Sequence, residues 1–112
     1  TKILKETVES LLENSDNLPI IIIQSDTGPA VSSADTTNDV HQVGRMSIFN
    51  AYYFPNEKYD LLYDDITPVN SFRIVFDSHF QTNHGLVDDR VFYSTYEKPY
   101  TLTEITDFSI FR

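Results

Sequence analysis

The chain has no cysteine, no tryptophan, one methionine and three glycines in 112 residues, and only eight basic residues stand against seventeen acidic ones. Without cysteine, neither disulfides nor thiolate metal sites can hold the fold, and the redox compartment is left open. The three glycines, Gly28, Gly44 and Gly85, are too scattered for a phosphate-cradling loop. Paired-histidine zinc helices and nucleophile elbows are also missing, so no motif for self-contained catalysis is visible. The shortage of positive charge leaves a formal net charge of −9, spread along the chain. Neutralising phosphates takes clustered Lys and Arg, which the isolated Arg45, Arg73 and Arg90 do not provide. A nucleic-acid partner and an anionic membrane surface are both disfavoured on that ground. No apolar run approaches the roughly 20 residues that cross a bilayer, so direct membrane insertion by this segment is not expected. No signal peptide is visible, and Thr1 in place of Met points to a processed product or an excised segment.

What is present is enough for one domain, or part of one. The most informative stretch is Pro19-Ile20-Ile21-Ile22-Ile23-Gln24-Ser25-Asp26-Thr27-Gly28-Pro29. Consecutive isoleucines offer water no polar face, which reads as a strand buried on both sides in a mainly parallel or mixed sheet. Ligands in such sheets collect at the carboxyl ends of strands, so Asp26 is the first candidate for chemistry. A strand-end aspartate capping the turn before Gly28-Pro29 is the structural alternative.

Ahead of that strand, Ile3, Leu4, Val8, Leu11 and Leu12 recur on one helical face, and Asn14-Ser15-Asp16-Asn17 ends the helix. The polar composition from Ala30 to Gln42 predicts an exposed loop beside the candidate site. Met46 to Phe54 is rich in β-formers and predicts a second strand. Thr67-Pro68 marks a helix start, with Thr able to cap and Pro harmless at the first position. Val69, Phe72, Val75, Phe76, His79 and Phe80 then line one side of that helix, which is taken as its core face and ends near Gln81 to Gly85. Short strands at Arg90 to Tyr93 and within Leu102 to Phe111 complete the reading. The expected architecture is a single α/β domain over residues 1–112, with a helix before the first strand and another after the second.

His41, His79 and His84 show no ligand spacing and are read as unrelated surface histidines, His79 packing part of its ring on the apolar side of its helix. Asp64-Asp65 and Asp88-Asp89 could coordinate calcium, but no EF-hand loop surrounds them and solvated turns fit better. Seven tyrosines and eight phenylalanines are numerous for this length. At helical spacing the phenylalanines read as core, while apolar surface left uncovered would promote self-association.

Four segments, in order, carry a family resemblance: Ser25-Asp26-Thr27-Gly28-Pro29 after the strand, Arg45-Met46-Ser47-Ile48-Phe49-Asn50-Ala51-Tyr52-Tyr53-Phe54-Pro55, Ile66-Thr67-Pro68-Val69-Asn70-Ser71-Phe72-Arg73, and Val87-Asp88-Asp89-Arg90-Val91-Phe92-Tyr93-Ser94. Together they resemble the C-terminal portion of sulfatase-like proteins of the alkaline phosphatase superfamily, over nearly the whole chain. The resemblance implies a fragment of a larger metal-dependent phosphate- or sulfate-ester hydrolase or transferase, whose nucleophile and other acidic ligands lie in an N-terminal portion. It also implies an extracytoplasmic, membrane-anchored parent. In that family an Asp-His-Gly motif follows the strand and its Asp and His bind a divalent metal. Here Asp26 and Gly28 match but Thr27 occupies the histidine position, so the implied metal role reaches Asp26 alone. A Thr hydroxyl is a weak neutral oxygen donor where such sites want nitrogen. A fragment with one carboxylate ligand is expected to be inactive in isolation and to hold no metal by itself. The alternative is a noncatalytic α/β module acting through binding or self-association.

Overall fold

Helix, strand, helix, strand, helix and a final strand pair follow one another along the chain. The structure is a computed structural model and describes residues 1–29 and 39–108. In chain order the elements are α1 (Lys2–Asn14), β1 (Ile21–Gln24), α2 (Asp39–Met46), β2 (Asn50–Tyr53), a single 3₁₀ turn (Pro55–Glu57), α3 (Pro68–His79), β3 (Val91–Tyr93) and β4 (Thr103–Ile105). The α/β class and the placing of helices before β1 and after β2 agree with the sequence.

The parallel or mixed central sheet does not. The described strands form two separate antiparallel pairs, β1 with β2 and β3 with β4. The reason lies just beyond β1. Gly28 N–H donates to the Arg45 carbonyl at 2.8 Å, Arg45 Nη1 donates back to the Gly28 carbonyl at 3.3 Å, and Ser25 N–H donates to the Phe49 carbonyl at 3.0 Å. The C-terminal end of α2 is thereby fastened to the C-terminal end of β1. The chain re-enters where β1 stops and can only run back along it, pairing Gln24 with Asn50 and Ile21 with Tyr53.

Nor is the isoleucine strand buried on both sides. Ile21, Ile22 and Ile23 are each half-buried and Gln24 is exposed, while Ile22 and the preceding Ile20 pack toward a core formed by Phe54, Ile74 and Val75. Of the stretch expected to be a loop, residues 30–38 lie outside the described residues, while Asp39–Met46 is helical, with Val43 buried. The second strand accordingly starts at Asn50 and not at Met46. The strand expected within Leu102 to Phe111 is the short β4, and Phe111 lies outside the described residues.

The largest correction concerns α3. Its buried residues are Asn70, Ser71, Ile74 and Val75, whereas Phe72, Phe76 and Phe80 are 63%, 43% and 61% exposed. The helix therefore turns a half-polar face inward and an aromatic face outward. Ser71 Oγ and Tyr52 Oη share a 2.7 Å hydrogen bond across the interface with β2, which is why a hydroxyl is tolerated there. His79, expected as a surface histidine resting on the phenylalanine side of its helix, instead packs its ring edge-on against Phe54 of the core, 5.1 Å between centroids.

Among the described residues the buried apolar side chains are Val43, Phe54, Ile74 and Val75. The surface measures 8365 Å², against about 6300 Å² for a typical folded chain of this mass. No described helix is long and apolar enough to cross a membrane.

Candidate functional site

Past the end of β1, Ser25 continues the hairpin by accepting a 2.8 Å hydrogen bond from Phe49 N–H on its side-chain oxygen. This holds the turn that follows. Gly28 is fully packed under α2: a Cβ there would meet the Gly44 carbonyl oxygen at 2.0 Å and the Ser47 carbonyl oxygen at 2.4 Å. Only glycine permits that approach. Between these two anchors Asp26 is exposed, and its one described side-chain partner is Thr27 Oγ1, donating to Oδ1 at 3.4 Å.

Asp26 stands on the rim of a broad open cleft of about 1110 Å³, whose walls include Asn50, Tyr63, Thr67, Asp89 and Glu104. Three of the lining residues, Tyr63, Thr67 and Asp89, belong to a hydrogen-bonded group around Asn70, which has no exposed surface. Asn70 Nδ2 donates to Tyr63 Oη at 2.7 Å, to the Val87 carbonyl at 2.8 Å and to Asp89 Oδ2 at 3.1 Å, while its Oδ1 accepts from Val87 N–H at 3.0 Å. Asp89 is the second hub, accepting from Thr67 N–H at 2.9 Å, from Thr67 Oγ1 and from the Tyr63 hydroxyl. Thr67 does begin α3, but its hydroxyl serves Asp89 and makes no cap to its own helix. Burial raises the pKa of Asp89, and the donors Thr67, Tyr63 and Asn70 outweigh it, leaving the carboxyl below its ordinary range. The Tyr63 phenol is pushed up to about 12, first by burial and then by its bond to the Asp89 carboxylate.

The residues singled out by sequence separate accordingly. Asp26 lies on the cleft; Asp64 and Asp65 line it as well; Asp89, expected in a solvated turn, is instead an organising carboxylate. His79 and His84 lie at the far end of α3, the first against Phe54 and the second beside Phe76, 5.9 Å between rings. Among the described residues no group of three or more His, Asp or Glu side chains gathers as a metal cage. The one described side-chain neighbour of the Asp26 carboxylate is the Thr27 hydroxyl, and a divalent ion of the calcium type takes six or more oxygen ligands. In the sequence Asp89 stands out only as half of an acidic pair in a solvated turn, and Tyr63 and Asn70 have no role of their own. The available signal was Asn70-Ser71 and Ile74-Val75 recurring at helical spacing, a stripe that the more hydrophobic phenylalanines overshadowed.

No protein-family model, curated protein or solved structure matches the chain. The site must be read from its own chemistry.

Proposed function

We propose that the chain forms the C-terminal wall of a sulfatase-like, metal-dependent phosphate- or sulfate-ester hydrolase or transferase, with Asp26 offering a single carboxylate to a site completed by residues outside these 112, and that it turns over no ester alone. The observation that carries this reading is the position of Asp26: an exposed carboxylate two residues past a strand, clamped between Ser25 and Gly28, on the rim of a cleft.

In this account the chain's own residues position groups and do not react. Asn70 and Asp89 fix the start of α3 against the 87–89 segment and keep that side of the cleft rigid. Ser25, Gly28 and Arg45 fix the turn that presents Asp26. The test is turnover of an aryl phosphate and an aryl sulfate ester, with manganese or zinc supplied, by this chain and by the longest product of the reading frame around it. We expect activity in the longer product alone, lost in Asp26→Ala. Turnover by the 112-residue chain that Asp26→Ala abolishes, or a longer product indifferent to that substitution, overturns the proposal.

A further inference from the structure

Two helix faces are left partly uncovered, and they match: on α1, Leu4 and Leu11 are 42% and 44% exposed and Val8 and Leu12 half-buried. None of the side chains of α1 is buried and none belongs to the core cluster; its stripe runs through Leu4, Val8, Leu11 and Leu12, with Ile3 beside it 78% exposed. On α3 the outward ladder of Phe72, Phe76 and Phe80 is continuous, with ring centroids 6.4 Å and 6.0 Å apart, and His84 leans on its middle ring. No charged residue interrupts either stripe. The helices have 13 and 12 residues, so the faces are each about 18–20 Å long.

We propose that two copies of the chain form a symmetric dimer in which α1 of each lies along the phenylalanine ladder of the other. The area decides for a second copy. Three phenylalanines at their observed exposure present roughly 300 Å² of apolar surface, taking about 200 Å² for a whole aromatic side chain. The stripe of α1 contributes a similar amount, giving roughly 600 Å² for one helix pair, which is below what a specific interface needs. Two-fold symmetry makes the contact twice, and the total of roughly 1,200 Å² reaches the range of stable complexes. Both stripes belong to one sequence, so one operation covers both. The inference is independent of whether Asp26 ever serves a metal. Because each copy carries a net charge of −9, association strengthens as salt screens the repulsion.

The test is sedimentation velocity across a concentration series, with Leu11→Asp and Phe76→Asp. Each substitution damages both contacts of a homodimer and weakens association by roughly a hundredfold. Mixing the two variants restores a partial dimer, since one α1 and one ladder remain intact in the mixed pair. Because the chain has no cysteine, Leu11→Cys mixed with Phe76→Cys forms an intermolecular disulfide across the same contact. Circular dichroism of the variants checks that they fold, as the altered positions lie outside the core. A parent chain that stays monomeric at high concentration overturns the proposal. A dimer indifferent to both substitutions, or a doubly substituted Leu11→Cys, Phe76→Cys chain that closes its disulfide within one copy, overturns it equally.

Discussion

Replacing Asn70 with alanine tests the wall of the cleft most sharply. The side chain has no exposed surface and makes four hydrogen bonds, to Tyr63, to Asp89 and to both the N–H and the carbonyl of Val87. A satisfied hydrogen bond contributes about 1 kcal/mol net, and a partner left buried without one costs about 1–3 kcal/mol. Val87 and Tyr63 reach water and recover part of their bonding, so the expected loss is about 3 kcal/mol and not the full sum. A domain of this size loses roughly 4–8 °C of melting temperature per kcal/mol, which puts the Asn70→Ala midpoint roughly 15 °C lower. Urea and thermal unfolding followed by far-ultraviolet circular dichroism read this directly, in a chain without tryptophan. Asn70→Asp keeps the shape but sets a second carboxylate beside Asp89, so its penalty at neutral pH should shrink as the solution is acidified. A loss within about 0.5 kcal/mol, the range of ordinary surface substitutions, would refute the idea that this amide fastens α3 to the 87–89 segment.

The inward face of α3 can be checked by contrast. Ile74→Ala should cost about 3 kcal/mol as a core truncation, whereas Phe72→Ser, measured at a concentration where the chain is monomeric, should cost less than about 1 kcal/mol; equal losses would restore the phenylalanines to the core. Gly28→Ala drives a methyl into two carbonyl oxygens and should destabilise by about 3 kcal/mol, as overpacking does, with the amide signals of Ser25 to Thr27 displaced; an unperturbed fold would contradict the packing of the turn under α2. The carboxyl of Asp89 titrates below its ordinary value, so its contribution is present above the unfolded aspartate pKa of about 3.9 and is lost as pH falls through the folded value. Asp89→Asn should therefore flatten the acid limb of the stability profile. The Tyr63 phenol, raised to about 12, contributes stability that is present below about 10 and is lost as pH climbs toward 12. An ultraviolet titration should show a late phenol that is missing in Tyr63→Phe.

Local signals carried much of the fold in plain sight. Pro68 after Thr67 placed the start of α3, the heptad-like spacing of Leu4, Val8, Leu11 and Leu12 placed α1, and the isoleucine run placed β1. Strand direction was not legible, because it is set by the fastening of Gly28 to Arg45, seventeen residues apart in sequence and joined only in space. α2 was hidden by its polar surroundings and by Gly44, a weak helix former. The core face of α3 was misread for a different reason: hydrophobicity ranks Phe72 and Phe76 above Asn70 and Ser71, yet polar side chains with partners on Tyr52, Tyr63 and Val87 are the ones enclosed. Asp26 was visible as a strand-end carboxylate; the hub at Asp89 was not, since its donors come from Tyr63, Thr67 and Asn70, all distant in sequence.

The decisive measurement is a calorimetric titration of the chain with zinc, manganese and calcium, run beside Asp26→Ala. A carboxylate that supplies one ligand to an otherwise incomplete site gives no saturable heat with any of the three, and the two proteins behave alike. Stoichiometric binding that disappears with Asp26→Ala would mean that these residues already build a whole metal site, and the account of an incomplete wall would fail.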